Sequence, residues 1–535
     1  MGVGDDDNAK IGLPTIWAIG VGSALGGDFF GWQFCLYGGF LSAAYAVVFC
    51  GVFYYIYAAA ITELASRYKT SGGAFDFVKQ ALGSKTAALM GVLGLLKLML
   101  ANAAVALSIS SYMIQAGMPP AYQALCWIAM YGIFTGLDIV GVRQSAHIQV
   151  AATILCVSTL LIYAASCFSK FELSNLREGG WTTDGVLGFM RGLPFALQFY
   201  DGFEEVPLLM CYAYDPEVTI PRAIFYSYIT VASLAVLVLV SGAGITPAAE
   251  LLSSEAPLMD GIDMVYGAGN TLSDIIAYMI VVGLVVNFFA FVVFTSQQVQ
   301  AIAEAGHLPY FLAYRHPVHG APVNASITSS LIGVLLTASF AVCFGQDSAQ
   351  NVLVTAALMP AVLGYIVLLE CVVRVRKLEA SSSSAKLSPR DMMRLGYEPG
   401  TLRFPYGVLG IRIAQGMCGL CVVALCVLAS TASDFFYGLL FLALFGLAGY
   451  LLMNYYIRLN KSQTQVIKNI HKIVPSIDSD LDDDESIDGN IIHVPQYLTM
   501  SSDKSCSVYS QSFQNDSSGI RHSLAPSNSS LTDSY

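Results

Sequence analysis

The chain has 535 residues, of which 55% are hydrophobic and only 12% are charged, and its mean hydropathy is +0.62. Soluble domains carry roughly 25% charged residues, so this composition excludes an ordinary soluble protein and indicates a chain that crosses a lipid bilayer many times. The net charge of −11 identifies no partner, because much of the acid lies near the C-terminus. A nucleic-acid partner, a resident metal and an enzymatic activity are not expected.

Long apolar segments follow one another along most of the chain. A spanning helix needs roughly 20 mainly apolar residues, and segments of this kind predict twelve transmembrane helices. Their predicted limits are 13–34, 37–62, 86–114, 119–138, 144–168, 185–211, 222–246, 272–300, 323–345, 349–374, 405–430 and 433–457. The expected fold class is therefore an all-α polytopic membrane protein.

Basic residues are distributed unevenly between the loops of the two sides. One side carries Lys10, Arg67, Lys69, Lys79, Lys85, Arg143, Arg222, Arg315, Arg374, Arg376, Lys377, Lys386, Arg390, Arg394 and Arg403. The other side has only Lys170 and Arg177 in its loops. Because cytoplasmic loops are enriched in Lys and Arg, the N-terminal residues 1–12 and the C-terminus are both predicted to be cytoplasmic. The plasma membrane is the expected location.

The C-terminal third of the chain divides by composition. Residues 375–404 are predicted to form a cytoplasmic loop, and residues 405–457 are predicted to hold helices 11 and 12. After about residue 458 the apolar pattern stops, and the acidic stretch "DSDLDDDES" (478–486) is followed by Ser-rich segments. Such segments contain too few apolar residues to form a core. Residues 458–535 are therefore predicted to be a disordered cytoplasmic tail.

Two of the predicted helices combine helix breakers with acids. In the first, "AIGVGSALGGDFFGWQF" (18–34) places five glycines around Asp28. In the sixth, "LPFALQFYDGFEEVPLLM" (193–210) contains Pro194, Pro207, a glycine and three acids. Irregular backbone inside a membrane is tolerated only where it is packed in protein or lines a cavity. Glycines at this spacing also serve plain helix packing, so helix 1 alone leaves both interpretations open.

The two interrupted helices occupy corresponding positions in two halves of the core, residues 13–374. If residues 13–168 and 185–374 are five-helix repeats, the first begins inside and the second begins outside, so the repeats are inverted. Paired interruptions in inverted repeats indicate the midplane binding site of a transporter. Lys97 and Arg191 are candidate ion partners for the acids, although long basic side chains also extend to the interface without pairing.

Several longer stretches resemble a known family. They are "TELASRYKTSGGAFDFVKQALG" (62–83), "FYDGFEEV…YDPEVTIPRAI" (199–224), "AIAEAGHLPYFLAYRHPVHGAPVNA" (301–325) and "GGDFFGWQF" (26–34). In these the chain is similar to permeases of the amino acid–polyamine–organocation (APC) superfamily, and the last stretch is most similar to ethanolamine-permease-like members. The resemblance implies a leucine-transporter-type fold with a 5+5 inverted repeat, two additional C-terminal helices and transport by alternating access.

The resemblance also implies where substrate and ions bind. Carried over by position, the substrate site would include Gly22, Ser23, Gly26, Gly27, Asp28, Asn102, Phe199, Tyr200, Asp201, Gly202, Phe203 and Phe291. Phe291 would hold a cationic head group by a cation–π contact, and Glu204 would link a proton to gating. Thr295 and Ser296 lie at positions near those of the helix 8 hydroxyls that hold sodium in sodium-coupled relatives. The alternative interpretation is that both hydroxyls bond to backbone carbonyls of their own helix.

The predicted function is secondary active transport of amino acids or related organic amines. Asp28 and Asp201 favour cationic substrates, and an H⁺ gradient is the expected driving force, with Na⁺ as the alternative. No cofactor is expected, and the sequence leaves the oligomeric state open. An amine, polyamine or ethanolamine exchanger, and a nutrient receptor that retains the transporter fold, are the remaining interpretations. An intramembrane aspartyl protease would pair Tyr200-Asp201 with Gly27-Asp28, but their order along the chain is reversed.

Overall fold

The computed structural model describes residues 10–177, 181–245, 247–254, 256–267, 269–317, 320–382, 407–431 and 433–478. In these ranges the α-helices in chain order are α1 (Leu13–Ala24), α2 (Gly26–Phe29), α3 (Phe40–Arg67), α4 (Gly73–Leu82), α5 (Ser84–Gln115), α6 (Gln123–Val140), α7 (Val142–Phe168), α8 (Gly185–Gln198), α9 (Pro216–Ile245), α10 (Ala248–Ser253), α11 (Pro257–Tyr266), α12 (Thr271–Glu304), α13 (Val323–Phe344), α14 (Gln346–Ser382), α15 (Gly407–Thr431) and α16 (Ser433–Asp478). Shorter 3₁₀ helices cover Trp32–Gly38, Pro120–Tyr122, Asn175–Arg177, Phe203–Tyr212 and Tyr310–Ala313. An isolated parallel bridge between Ile11 and Ala213 is the one β-type pairing in the described ranges.

Long apolar helices account for most of the fold. Within the described residues, ten helices are long and apolar enough to cross a membrane. This confirms the predicted all-α polytopic class. The two predicted segments missing from those ten, 13–34 and 185–211, are the interrupted ones, and each is divided into shorter helices. The total of twelve spanning segments therefore stays a prediction.

The interruptions occur where the sequence places its helix breakers. α1 ends at Ala24, and the chain then forms the four-residue α2 before Phe30 adopts an extended conformation. In the sixth segment α8 ends at Gln198, and Gly202 has a φ of 130°. An L-residue with a side chain rarely adopts that backbone conformation, so glycine at this position fixes the site of the second break.

Both broken segments lie inside a ring of long helices. α1 packs against α7, α9 and α12, and the 3₁₀ helix Phe203–Tyr212 packs against α1 and α9. α5 packs against α12 and α14. The breaks are therefore shielded from lipid, as irregular backbone at membrane depth must be.

Two helices near the C-terminus extend beyond the predicted boundaries. α14 continues to Ser382, past the predicted start of the loop at 375, and α16 continues to Asp478, past the predicted start of the tail at 458. In the second case the signal was present in the sequence: Val466, Ile470 and Ile473 recur at intervals of three or four residues, which is the helical period. Residues 383–406 and 479–535 lie outside the described ranges, so the rest of the predicted loop and tail is untested.

Candidate functional site

A small cavity lies between the two breaks. Its volume is about 70 Å³, and α5, α12 and α14 complete its wall. Most of the wall is Ala, Val, Leu and Phe side chains, and the polar groups that face it include Ser23, Gln198, Asp201 and Asn287. A single water needs roughly 10–15 Å³ by a comparable measure, so the cavity has room for several water-sized groups. An apolar pocket with a few convergent polar groups is typical of a small-molecule site.

The two breaks interlock through glycines. A Cβ on Gly27 would overlap the backbone carbonyl of Gln198, at the end of α8. Conversely, a Cβ on Gly202 would overlap the backbone carbonyl of Ser23, at the end of α1. Each break therefore brings its backbone against the other, and only residues without a side chain allow the approach.

Asn287 on α12 satisfies carbonyls that the first break leaves without helical partners. Its amide nitrogen donates to the carbonyl oxygen of Gly22 at 3.1 Å and to that of Ser23 at 2.6 Å. A Cβ on Gly26 would lie 2.6 Å from the Asn287 side-chain oxygen, so this side chain fits against the break. Sequence reasoning missed Asn287, although an amide within the apolar segment 272–300 was an available signal.

Replacing Asn287 by Asp is expected to destabilise the protein strongly. The substitution keeps the shape of the side chain but removes the donor, and each buried carbonyl left without a partner costs about 1–3 kcal/mol. The thermal unfolding midpoint of the purified protein in detergent measures this. Asn454→Asp is the matched control, because among the described residues the Asn454 amide donates to Tyr450 of its own unbroken helix and to no other group. Equal losses in the two variants would contradict the assignment.

A charged cluster adjoins the cavity beside the second break. The ammonium of Lys97 lies 2.5 Å from Glu204 Oε1, 2.8 Å from Glu205 Oε1 and 3.2 Å from Asp201 Oδ1. Lys97 is buried, and so is Glu204, whose Oε2 also accepts from the amide of Gly202 at 2.7 Å. One cation thus faces three carboxylates in a place that water reaches poorly.

The hydroxyl of Tyr365, on α14, joins two of these acids. Its oxygen lies 2.6 Å from Asp201 Oδ1, 2.5 Å from Glu204 Oε1 and 3.1 Å from the hydroxyl oxygen of Tyr54. A tyrosine hydroxyl has one proton to donate, so it cannot donate to both carboxylates at once. If both short contacts are hydrogen bonds, one of the two acids donates to Tyr365 and carries a proton.

Five of the residues predicted to bind substrate line the cavity. They are Ser23, Gly26, Gly27, Asp201 and Phe291. Gly22 and Gly202 lie behind its wall, where their backbones pack against α12 and α1. Phe199, Tyr200 and Phe203 are buried away from the cavity.

The aromatic residues of the second break pack mainly against α3. The ring of Tyr200 stacks on Tyr54 with a centroid distance of 5.3 Å, and its hydroxyl donates to the carbonyl of Val47 at 2.9 Å. The ring of Phe203 lies 5.8 Å from that of Tyr54. These contacts fix the back of the break, so the described geometry gives these rings a packing role.

Asp28 is fully buried but does not line the cavity. Neither of its carboxyl oxygens has a hydrogen-bond partner among the residues that the structure describes. The carboxyl therefore neither faces the cavity nor ties down helix 1 through a bond in this part of the chain. Its predicted contact with substrate stays a prediction.

Asn102 and Thr295 line a second, separate cavity of about 10 Å³. On α5, Ala101 and Ala104 face the main cavity. Successive residues of a helix are turned by about 100°, so Asn102 faces the second cavity instead. Thr295 donates to the carbonyl of Phe291 at 2.6 Å, and Ser296 donates to that of Val293 at 2.9 Å. Both hydroxyls thus bond to the backbone of their own helix, and the predicted sodium contact stays untested.

The two basic side chains considered as ion partners have different positions. Lys97 is paired with the acids of the second break, whereas Arg191 lies 3.3 Å from Asp184 in a partly exposed pair. Sequence reasoning missed Tyr365, because a tyrosine in an apolar helix is not distinguished from an ordinary core residue.

Comparison with known proteins agrees with this architecture. The amino acid permease family matches residues 11–381. An uncharacterised transporter of Mycobacterium bovis is 25% identical over 346 residues, which cover 63% of this chain and 75% of the relative. The chloroplastic cationic amino acid transporter 7 of Arabidopsis thaliana is 23% identical over 287 residues, covering 50% of this chain and 49% of that protein.

A solved structure shows the same fold. The crystal structure of MhsT in complex with L-phenylalanine has a TM-score of 0.51 at 17% identity, over 77% of this chain and 98% of that chain. This likeness confirms the predicted leucine-transporter-type fold. The family match spans more than half of the sequence. The chain therefore belongs to the amino acid permease family, and it is a multi-pass membrane transporter.

Proposed function

We propose that the chain is a secondary active transporter that moves an amino acid or a related organic amine together with protons. The observation that carries proton coupling is the position of the Tyr365 hydroxyl between Asp201 and Glu204. The Tyr365 hydroxyl supplies one proton to this pair of acids, so one of the two carboxyl groups can bind a second proton. Asp201 lines the cavity, and Glu204 lies in the 3₁₀ helix that follows the second break. A proton bound to this pair is therefore able to change both substrate binding and closure of the site.

The charge of the site favours a cationic substrate. With every group ionised, three carboxylates face one ammonium, so the cluster beside the cavity keeps excess negative charge even with one proton bound. Buried charge of one sign attracts a ligand of the other. Asp201 would contact the substrate ammonium, with Phe291 across the cavity as its cation–π partner. The likeness to a cationic amino acid transporter supports this preference.

The remaining parts of the proposal concern binding and placement. Helix breaks expose amide groups that suit a substrate carboxylate, and Gly26 and Gly27 bring such backbone to the cavity. The distribution of Lys and Arg between the loops supports cytoplasmic positions for both termini. The plasma membrane remains the proposed location.

An uptake panel in proteoliposomes tests the function. The compounds are L-lysine, L-leucine, L-alanine, putrescine and ethanolamine, each measured with a pH gradient, with a Na⁺ gradient and with neither. We expect L-lysine or an amine to accumulate only under the inward H⁺ gradient. Accumulation driven by Na⁺ alone would overturn the proposed coupling, and the absence of any uptake or exchange would favour a receptor.

Substrate preference is expected to depend on Asp201 and not on Asp28. Asp201→Asn removes the one acid of the cluster that lines the cavity, so we expect the preference for L-lysine over L-alanine to fall at least about tenfold, the equivalent of 1.4 kcal/mol. Asp28→Asn is the matched control, because it makes the same chemical change at a buried carboxyl away from the cavity. A larger loss of preference in Asp28→Asn would reassign the ammonium contact to helix 1.

A further inference from the structure

Lys97 lies on the helix face that lines the cavity. Ala101, Ala104 and Ser108 follow it on α5 at intervals of four, seven and eleven residues, which place all four side chains on one side of a helix. Its ammonium lies 3.2 Å from Asp201, the acid that also faces the cavity. Lys97 therefore extends the substrate site by one turn of α5.

The close polar contacts of the ammonium are to acids, with hydrogen bonds to Glu204 and Glu205 and an ion pair with Asp201. A lysine ammonium has three donors, and three carboxylates lie within 3.2 Å of it, at Asp201, Glu204 and Glu205. The other groups that face the cluster are the amide of Gly202 and the hydroxyls of Tyr365 on α14 and of Tyr54 and Tyr57 on α3. The Lys97 ammonium also lies 5.4 Å from the centre of the Tyr365 ring. Among the described residues the cluster thus has no second cation.

A transporter that takes up a substrate without returning one must change conformation once with an empty site. During that step the cluster is enclosed in protein, and an uncompensated buried charge is strongly unfavourable. With Lys97 present, fully ionised acids leave two negative charges, and one proton reduces them to one. Without Lys97 the cluster carries three negative charges when its acids are fully ionised and two when one proton is bound. A bound cationic substrate would then supply the missing positive charge.

We propose that Lys97 is a tethered counter-cation that allows the substrate-free transporter to change conformation, and so supports net uptake in place of obligatory exchange. It acts by offsetting one of the negative charges that Asp201, Glu204 and Glu205 carry, and it is therefore a positioning residue. The inference rests on the proposed transport of a cationic substrate through this cavity. It names what determines the mode of transport, which the proposed function leaves open.

The test compares net uptake with exchange for Lys97→Met in proteoliposomes. Radiolabelled L-lysine and L-alanine are each supplied to empty vesicles and to vesicles preloaded with the same unlabelled compound. For L-lysine we expect the ratio of net uptake to exchange to fall at least about tenfold, because only net uptake needs the empty return step. Acidifying both compartments is expected to restore part of the ratio, since protons then replace the missing charge.

Two further variants separate charge from packing. Lys97→Arg keeps the cation and is expected to keep a ratio nearer to wild type than Lys97→Met does. In Lys97→Met/Glu205→Gln the cluster loses one acid along with the cation, and the ratio is expected to recover severalfold relative to Lys97→Met. Each variant is first shown to be monodisperse in detergent, so that a folding defect is recognised.

An equal fall of net uptake and exchange in Lys97→Met, without rescue by the double variant, would overturn the inference and make Lys97 a structural residue. An unchanged ratio would also overturn it. Wild-type net uptake without any response to a pH gradient would instead contradict the proposed proton coupling, while the comparison of ratios would still apply. The two failures are therefore distinguishable.

Discussion

Glu204→Gln is expected to abolish the response of uptake to pH. For transport with one proton, a gradient of one pH unit supports up to about tenfold accumulation of substrate, because one pH unit is equivalent to 1.36 kcal/mol. Gln keeps the size of Glu204 and can still contact Tyr365 and Lys97, but it has no proton to exchange. Accumulation under an inward H⁺ gradient is therefore expected to fall to a ratio near one. The measurement is radiolabelled uptake in proteoliposomes at several external pH values.

The comparison variant for this prediction is Glu205→Gln. Glu205 bonds the same ammonium at 2.8 Å, whereas the short contacts of Tyr365 are made to Glu204 and Asp201. Removing the Glu205 charge is therefore expected to leave at least half of the pH response. If Glu205→Gln lost the pH response and Glu204→Gln kept it, the proton site would be Glu205 and not Glu204.

Tyr365→Phe examines the same pair from the other side. Removing the hydroxyl takes away the contact shared by Asp201 and Glu204 without removing any formal charge. We expect the pH at which uptake is half-maximal to move while transport itself persists. An unaltered pH profile would show that the hydroxyl is not part of the proton site.

The long helices were predictable because their apolar length is a property of each segment alone. The places of the two breaks were predictable for the same reason, since glycine, proline and acids lie close together in the sequence, and α1 ends at Ala24 within the predicted stretch. The late ends of α14 and α16 were missed because each helix continues beyond the apolar segment, where hydropathy no longer identifies it.

The orientation of the two break acids was not predictable. Asp28 and Asp201 each adjoin a flexible glycine, yet only Asp201 lines the cavity. The difference arises from tertiary packing. Gly27 packs against the backbone of Gln198 at the end of α8, and the side chain of the next residue, Asp28, is buried away from the cavity. Nothing in the local sequence of helix 1 determines which face the sixth segment covers.

The pairing of Lys97 was also beyond the sequence. Lys97 and Glu204 are 107 positions apart, and Tyr365 and Glu204 are 161 apart. Their contact depends on the relative register of α5, α14 and the second break, to within a fraction of a helical turn. A single sequence indicates that an intramembrane lysine needs a partner, but it does not identify that partner.

The reciprocal glycines connect this geometry to alternating access. At Gly27 and Gly202 the backbones of the two broken segments touch, so the segments must move together or separate at these points. A closed site between them is dense, and dense packing transmits small displacements. The glycines thus set how closely the two halves of the site approach, and a single methyl group at either position is a direct probe of that contact.

Gly27→Ala is expected to eliminate transport and to lower stability. The added Cβ would overlap the carbonyl of Gln198 and would lie 2.9 Å from the backbone nitrogen of Phe199. Backbone atoms cannot rotate aside as a side chain does, so the break must widen. Overpacking of this kind costs on the order of 3 kcal/mol, and a widened break displaces Asp201 from the cavity wall. Uptake and the thermal unfolding midpoint of the purified protein measure the two effects.

Gly132→Ala is the matched control for the same methyl group. Gly132 lies in the regular helix α6, and apart from its chain neighbours and the backbone of its own helix no described atom lies within 4 Å of the position a Cβ would take. Inside a helix alanine is more favourable than glycine by about 1 kcal/mol. This variant is therefore expected to keep full transport and to have an equal or higher unfolding midpoint. If Gly27→Ala behaved like Gly132→Ala, the two breaks would have to be farther apart in the working transporter than they are here. The interlocking glycines would then not limit closure of the site.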